Sequence, residues 1–267
     1  MIKLLVSIIR EKRLTILYYS LAGLALIILY VSIYPSIQSQ MATFTKLLQS
    51  YPPAVLKAFG IESNDFVTLG GYLSTEHFGI VWPLMLIFLL TSLGANLIAG
   101  EIETGTLGLL LTLPLSRARI YLAKYGAAVV ALTTFIVLSV LTIAPVAALF
   151  HLSISFANVA KLAAVGWLLG LATLGLGFFF SALVSEKGRV NAIVGGLFVL
   201  MYILNLLAHL KDSLGALKYA SFFHYFNSAA ILQHGTVDFW AISLFFVVAL
   251  IFTTLGLAAF IKRDISI

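Results

Sequence analysis

Residues 239–261, FWAISLFFVVALIFTTLGLAAFI, contain no Asp, Glu, Lys or Arg and stop at Lys262-Arg263. A helix needs about 20 predominantly apolar residues to cross the hydrocarbon core of a bilayer. This segment meets that length. Five more read the same way, at roughly 14–34, 78–99, 125–150, 162–184 and 190–209. Only helices and closed barrels satisfy their backbone in lipid, and runs this long lack the alternation of a barrel strand. The expected fold is all-α: a polytopic membrane protein with six transmembrane helices.

Composition agrees. Of 267 residues, 61% are apolar and 10% charged, whereas soluble domains are about 45–50% apolar and about a quarter charged. A chain of this size has a limited interior, so the surplus behind a mean hydropathy of +1.09 must face lipid. A soluble enzyme, a disordered chain and a coiled coil are excluded. Without cysteine, so are disulfides, thiolate catalysis and cysteine-bound metal clusters. The net charge of +6 comes from residues beside apolar runs, which points to topology and not to nucleic acid.

Orientation follows from those cations. With the N-terminus inside, the inner flanks hold Lys3, Arg10, Lys12, Arg13, Arg117, Arg119, Lys124, Lys187, Arg189, Lys262 and Arg263. The outer flanks hold only Lys46, Lys57, Lys161, Lys211 and Lys218. The positive-inside rule therefore places both termini in the cytoplasm. The first span is too long for a signal-peptide core, and no small-x-small site follows Tyr34, so it is expected to be retained. No separate soluble domain is visible, and residues 1–267 read as a single transmembrane domain.

Ahead of that span, Ile2, Leu5, Val6 and Ile9 recur at helical spacing opposite Lys3, Ser7, Arg10 and Glu11. This predicts an amphipathic helix over 2–11 lying in the inner interface. The first outer loop, about 35–77, carries Tyr51-Pro52-Pro53, Gly60 and Gly70-Gly71. The last, about 210–238, carries Phe222, Phe223, His224, Tyr225 and Phe226, expected as an aromatic belt at the outer leaflet. The histidines (His77, His151, His209, His224, His234) show no metal-site spacing.

The inner loop after span two is the most informative: GEIETGTLGLLLTLPLSR, residues 100–117. Glu101 and Glu103 sit just inside the membrane, where a helix N-terminus can offset their charge. The leucine-rich run 107–113 is too short to cross, Pro114 ends it, and Ser116 can cap the next helix. This predicts a short cytoplasmic helix whose leucine face needs lipid or a groove on another protein.

The pattern E-x-x-x-G-T-L, then L-P-L-S-R with Lys124 seven residues after Arg117, resembles the permease subunits of type-2 ABC transporters. The amphipathic start, Pro-Pro and Phe59-Gly60 in the first outer loop, Phe223-His224-Tyr225, and terminal Lys262-Arg263-Asp264-Ile265 fit that resemblance. The resemblance implies a cell-membrane permease working as an exporter, in which the loop between spans two and three carries a coupling helix docked on a separate cytoplasmic ATPase subunit. Glu101, Glu103, Gly105, Thr106, Leu107, Leu110, Pro114 and Arg117 are the implied contacts, with Leu107 and Leu110 as buried anchors. It further implies a second permease, identical or not, and a path lined by spans two and five: Thr91, Asn96, Asn191, Met201, Tyr202 and Asn205. ATP and Mg would be bound by the partner. This chain has no phosphate-binding G-x-x-x-x-G-K-[ST] loop, no metal-site spacing and no catalytic constellation of its own.

In span four, Gly166, Gly170, Thr173 and Gly177 share one face, expected as packing within the subunit, with a dimer seam as the alternative. The competing functions are a six-span transporter or channel without an ATPase, and a membrane scaffold or immunity protein that moves nothing. No acidic or basic residue lies mid-span, and Lys124, near the inner end of span three, is expected to snorkel outward; this disfavours an ion-coupled mechanism.

Overall fold

The computed structural model describes residues 1–40, 50–51, 67–112 and 114–264. Lys46, Pro52-Pro53, Lys57, Phe59-Gly60, Leu113 and Ile265 lie outside them. Among the described residues six helices are long and apolar enough to span a membrane: Ile2–Ser39, Val81–Glu103, Arg117–Leu149, Phe156–Leu183, Lys187–Leu210 and Phe239–Lys262, here spans one to six. The fold is all-α, as the hydropathy pattern requires.

Span one differs from expectation at its start. No separate interfacial helix precedes it; residues 2–39 form one helix of 38 residues, about 57 Å at 1.5 Å per residue. Nothing in 2–34 breaks a helix, and Ile8 and Ile16 are buried. Gly126 of span three lies directly under Leu5, and Gly23 lies against Ser139. Spans one and three thus run in the same direction, in contact along much of their length.

Spans two and three each contain a π-turn, at Asn96–Gly100 and Val137–Leu141. The second has a local cause: Pro145 cannot donate to the carbonyl of Leu141, so the regular ladder fails just after that turn. Ser139, within it, donates to the Phe135 carbonyl at 2.6 Å and accepts from the Trp82 indole N–H at 2.9 Å. Trp82 is fully buried and stacks between Phe135 and Phe226, with ring centroids 5.8 and 5.4 Å away. One polar atom on Trp and one on Ser, each satisfied by the other, let a large aromatic side chain sit in the core.

Phe226 corrects the reading of the last outer loop. Phe222 and Phe226 are buried, and the segment folds into three short helices, Asp212–Ala220, Phe222–Tyr225 and Ser228–His234. Exposed aromatics at this end include Tyr219, Phe239, Trp240 and Phe156. The aromatic run closes the end of the core instead of lying as a belt.

Span four is the most enclosed of the six spans. Its glycines pack inside the subunit: Gly166 meets Trp82, Gly170 meets Leu132, and Gly177 meets Gly94 of span two. The dimer-seam alternative for this stripe is overturned. Gly175 lies against Ala249 and Gly256 against Phe179, so spans four and six approach backbone to backbone.

Candidate functional site: the charged end of the bundle

The segment between spans two and three is built from three local devices. Thr104 closes the end of span two, its hydroxyl donating to the Gly100 carbonyl at 2.9 Å. Gly105 follows at φ 74, a left-handed conformation in which L side chains are strained, and turns the chain. A short helix, Thr106–Leu111, comes next. Ser116 then caps span three, accepting from the Arg119 N–H at 3.4 Å.

The leucine run does find a partner within this chain. Leu107 is 0% exposed and belongs to the core, so its expected role as an anchor for another protein is corrected. Leu110 is half-buried against the same core, and Leu109 projects outward at 73% exposure. Gly105, Thr106, Thr112 and Pro114 are exposed beside it.

The charged residues also turn inward. Glu101 forms an ion pair with Lys124 of span three. Lys124 is 0% exposed, so it does not snorkel toward solvent; span three starts at Arg117, earlier than expected, and carries it inside. Its ammonium also donates to the Leu97 carbonyl at 2.6 Å. Glu103 accepts the backbone N–H of Lys187 at 3.0 Å, the first residue of span five. An anion there satisfies an orphan donor and faces the positive end of the helix dipole. The expected offset of acid by dipole is present, but the helix is a different one.

Arg117 donates to the carbonyls of Ile261 and Arg263 at the end of span six. Arg263 donates to the carbonyls of Ala182, at 2.8 Å, and Val184, and to Ser185 Oγ at 2.6 Å. Cations thus close the C-terminal ends of spans six and four, where unpaired carbonyls concentrate. Ser181 completes the set by accepting the Ala99 N–H at 2.8 Å. Burial of the Arg263 guanidinium lowers its pKa from the usual arginine range.

Two of these contacts had a visible signal. Arg117, Ile120, Tyr121 and Lys124 follow i, i+3, i+4, i+7, one face of a helix, and Ile120, Tyr121 and Lys124 are buried. Nothing in the sequence marks Ser181 or the Lys187 N–H.

The sequence model of the family described as ABC-2 family transporter protein matches residues 3–265. The chain belongs to the ABC-2 transporter family. It is a multi-pass integral membrane protein and a membrane subunit of an ABC-type transporter. No individual curated protein matches this ABC-2 family chain.

The six expected path residues of the ABC-2 subunit fall into unlike environments. Thr91 is buried, and its hydroxyl has no partner among the described residues. Asn96 donates to the Ser92 carbonyl at 2.8 Å, so its amide serves the π-turn it begins. Asn191 is exposed. Met201, Tyr202 and Asn205 are half-buried along span five, Tyr202 edge-on to Phe223 at 5.4 Å and Asn205 with a buried, unpartnered Oδ1.

Proposed function

We propose that this ABC-2 subunit is the permease of an exporter, driven by a cytoplasmic ATPase that binds ATP and Mg and docks on the helix Thr106–Leu111. The supporting observation is Leu109, 73% exposed on a short helix whose neighbours are anchored in the chain. Gly105, Thr106, Leu110 and Pro114 surround it and complete the docking face. Glu101, Leu107 and Arg117 are engaged within the chain and act behind that face, while Glu103 borders it. Both termini and this helix lie on the cytoplasmic side, where the basic flanks collect.

A second permease, identical or related, completes the path along spans two and five, with Asn191, Met201, Tyr202 and Asn205 of span five accessible to it, whereas Thr91 is buried within the subunit and Asn96 serves its own turn. An ATPase biases such a pair only by binding its two states with different affinity. A rigid docking helix supplies that difference. The experiment is purification of the chain from its native membrane with its bound proteins. An ATPase bearing a phosphate-binding loop is the expected companion, lost in Leu109→Asp. Nucleotide-independent transport by the purified chain alone would overturn the reading.

A further inference from the structure

We infer that Lys124 is a positioning residue that fastens the docking segment to span three, so that the two move as one body. The inference rests on the reading of Thr106–Leu111 as a docking helix. It concerns a side chain that never reaches the partner.

The π-turn Asn96–Gly100 sits between the transmembrane part of span two and the docking segment. Such a turn holds one residue more than an α-turn, and its displaced ladder frees backbone groups for other partners. Two groups in it are taken up from outside. The Leu97 carbonyl accepts from Lys124 Nζ at 2.6 Å, and the Ala99 N–H donates to Ser181 Oγ at 2.8 Å. Lys124 also reaches past the turn to Glu101. One ammonium therefore grips the chain inside the turn and again just beyond it, across what would otherwise be a compliant joint.

No other charge takes over this task among the described residues. The nearest alternatives on span one, Glu11 and Lys12, pair with each other at 2.7 Å. The second oxygen of Glu101, Oε2, is buried without a hydrogen-bond partner, and Lys124 is the one ion-pair partner of Glu101 among the described residues. A buried ion pair satisfied on one side by geometry this specific fixes a register; losing either partner strands the other. Two residues farther on, Glu103 holds the start of span five. Displacement of the docking helix is thereby passed to span three through Lys124 and to span five through Glu103.

The test uses the full chain in nanodiscs, with spin labels on Thr112→Cys in the docking segment and Val130→Cys on span three. Both positions are exposed, and the chain has no native cysteine. The wild-type background is expected to give one narrow distance distribution. Lys124→Met and Glu101→Gln should each widen it about twofold, and the exchange E101K with K124E should recover at least half of the narrowing. Should the single variants fail to insert, E101Q combined with K124M leaves no stranded charge and should still be broad. A wild-type width in that neutral pair, or in a folded single variant, overturns the proposal. Copurification of the ATPase is scored on the same samples and should persist in K124M. Its absence from the wild type would count against the docking reading alone, because the distances need no partner.

Discussion

Leu107 and Leu109 lie two residues apart in one short helix, yet the first is 0% exposed and the second 73%. At about 100° per residue, positions i and i+2 fall on opposite sides of a helix, so one leucine builds the core and the other faces out. The two positions separate stability from docking. Leu107→Asp strands a charge in the core and should destabilise the subunit by about 4 kcal/mol or more, read as loss of folded protein from membranes. Leu109→Asp should leave folding within about 0.5 kcal/mol and weaken ATPase copurification about tenfold or more.

The same exposure gives a clean topological probe, because the chain contains no cysteine. Leu109→Cys should react with a membrane-impermeant maleimide in inverted vesicles stripped of the docked ATPase and not in intact cells. Labelling from the outside would reverse the proposed orientation of all six spans.

Gly256 tests the contact between spans four and six. A Cβ there would lie 3.0 Å from the Phe179 Cα and 2.5 Å from the Tyr121 hydroxyl, and backbone cannot move aside as a side-chain tip can. Gly256→Val should cost about 1–3 kcal/mol by overpacking. At Gly196 of span five nothing lies within 4 Å, and the same substitution should be neutral to folding. Thermal unfolding in nanodiscs compares the two.

His77 gives a pH signature at the opposite end of the bundle. Its ring is fully enclosed beside Tyr30 and Phe78, at 5.2 and 4.9 Å, and neither nitrogen has a partner among the described residues. Burial pushes its pKa down to about 4 from 6.5. The folded state therefore refuses a proton that the unfolded chain accepts, so stability is complete above about pH 6.5 and falls as pH drops toward 4. The loss approaches roughly 3 kcal/mol at about 1.4 kcal/mol per unit. Glu76, whose carboxyl is pushed up by burial, acts in the opposite sense, so the diagnostic is the difference from His77→Phe. That variant should unfold with a flatter pH dependence between pH 7 and 4.5. An unchanged slope would mean that His77 carries no proton-linked penalty.

The six spans were legible because the bilayer imposes a length and a composition that each helix must meet alone. The ends of the helices were less so. Span three was expected from 125, since Arg117, Arg119 and Lys124 resemble a polar flank; the structure starts it at Arg117 because Glu101 neutralises Lys124 from another helix. Residues 2–11 carry an amphipathic pattern that suits an interface; in the structure Leu5 packs on Gly126 of span three, while Ile2 and Val6 stay exposed. In the docking segment, residue types signalled a short helix with an unpartnered face. Which leucine belongs to that face depends on tertiary contact, and periodicity over six residues cannot decide it. Glu103 and Arg263 are the extreme case: each serves backbone groups of a distant helix, which carry no side-chain signature at all.

The extra residue in Asn96–Gly100 also bears on how this chain can vary in length. Removing one residue there, Ile98 for instance, would let the turn close into ordinary helix while the following residues kept their facing. The same deletion at Leu89, inside regular helix, would swing everything downstream by about 100° and carry Glu101 away from Lys124. Shortening by one residue therefore keeps the downstream facing in one place and destroys it two turns away, and a series of single-residue deletions along span two would draw that boundary directly.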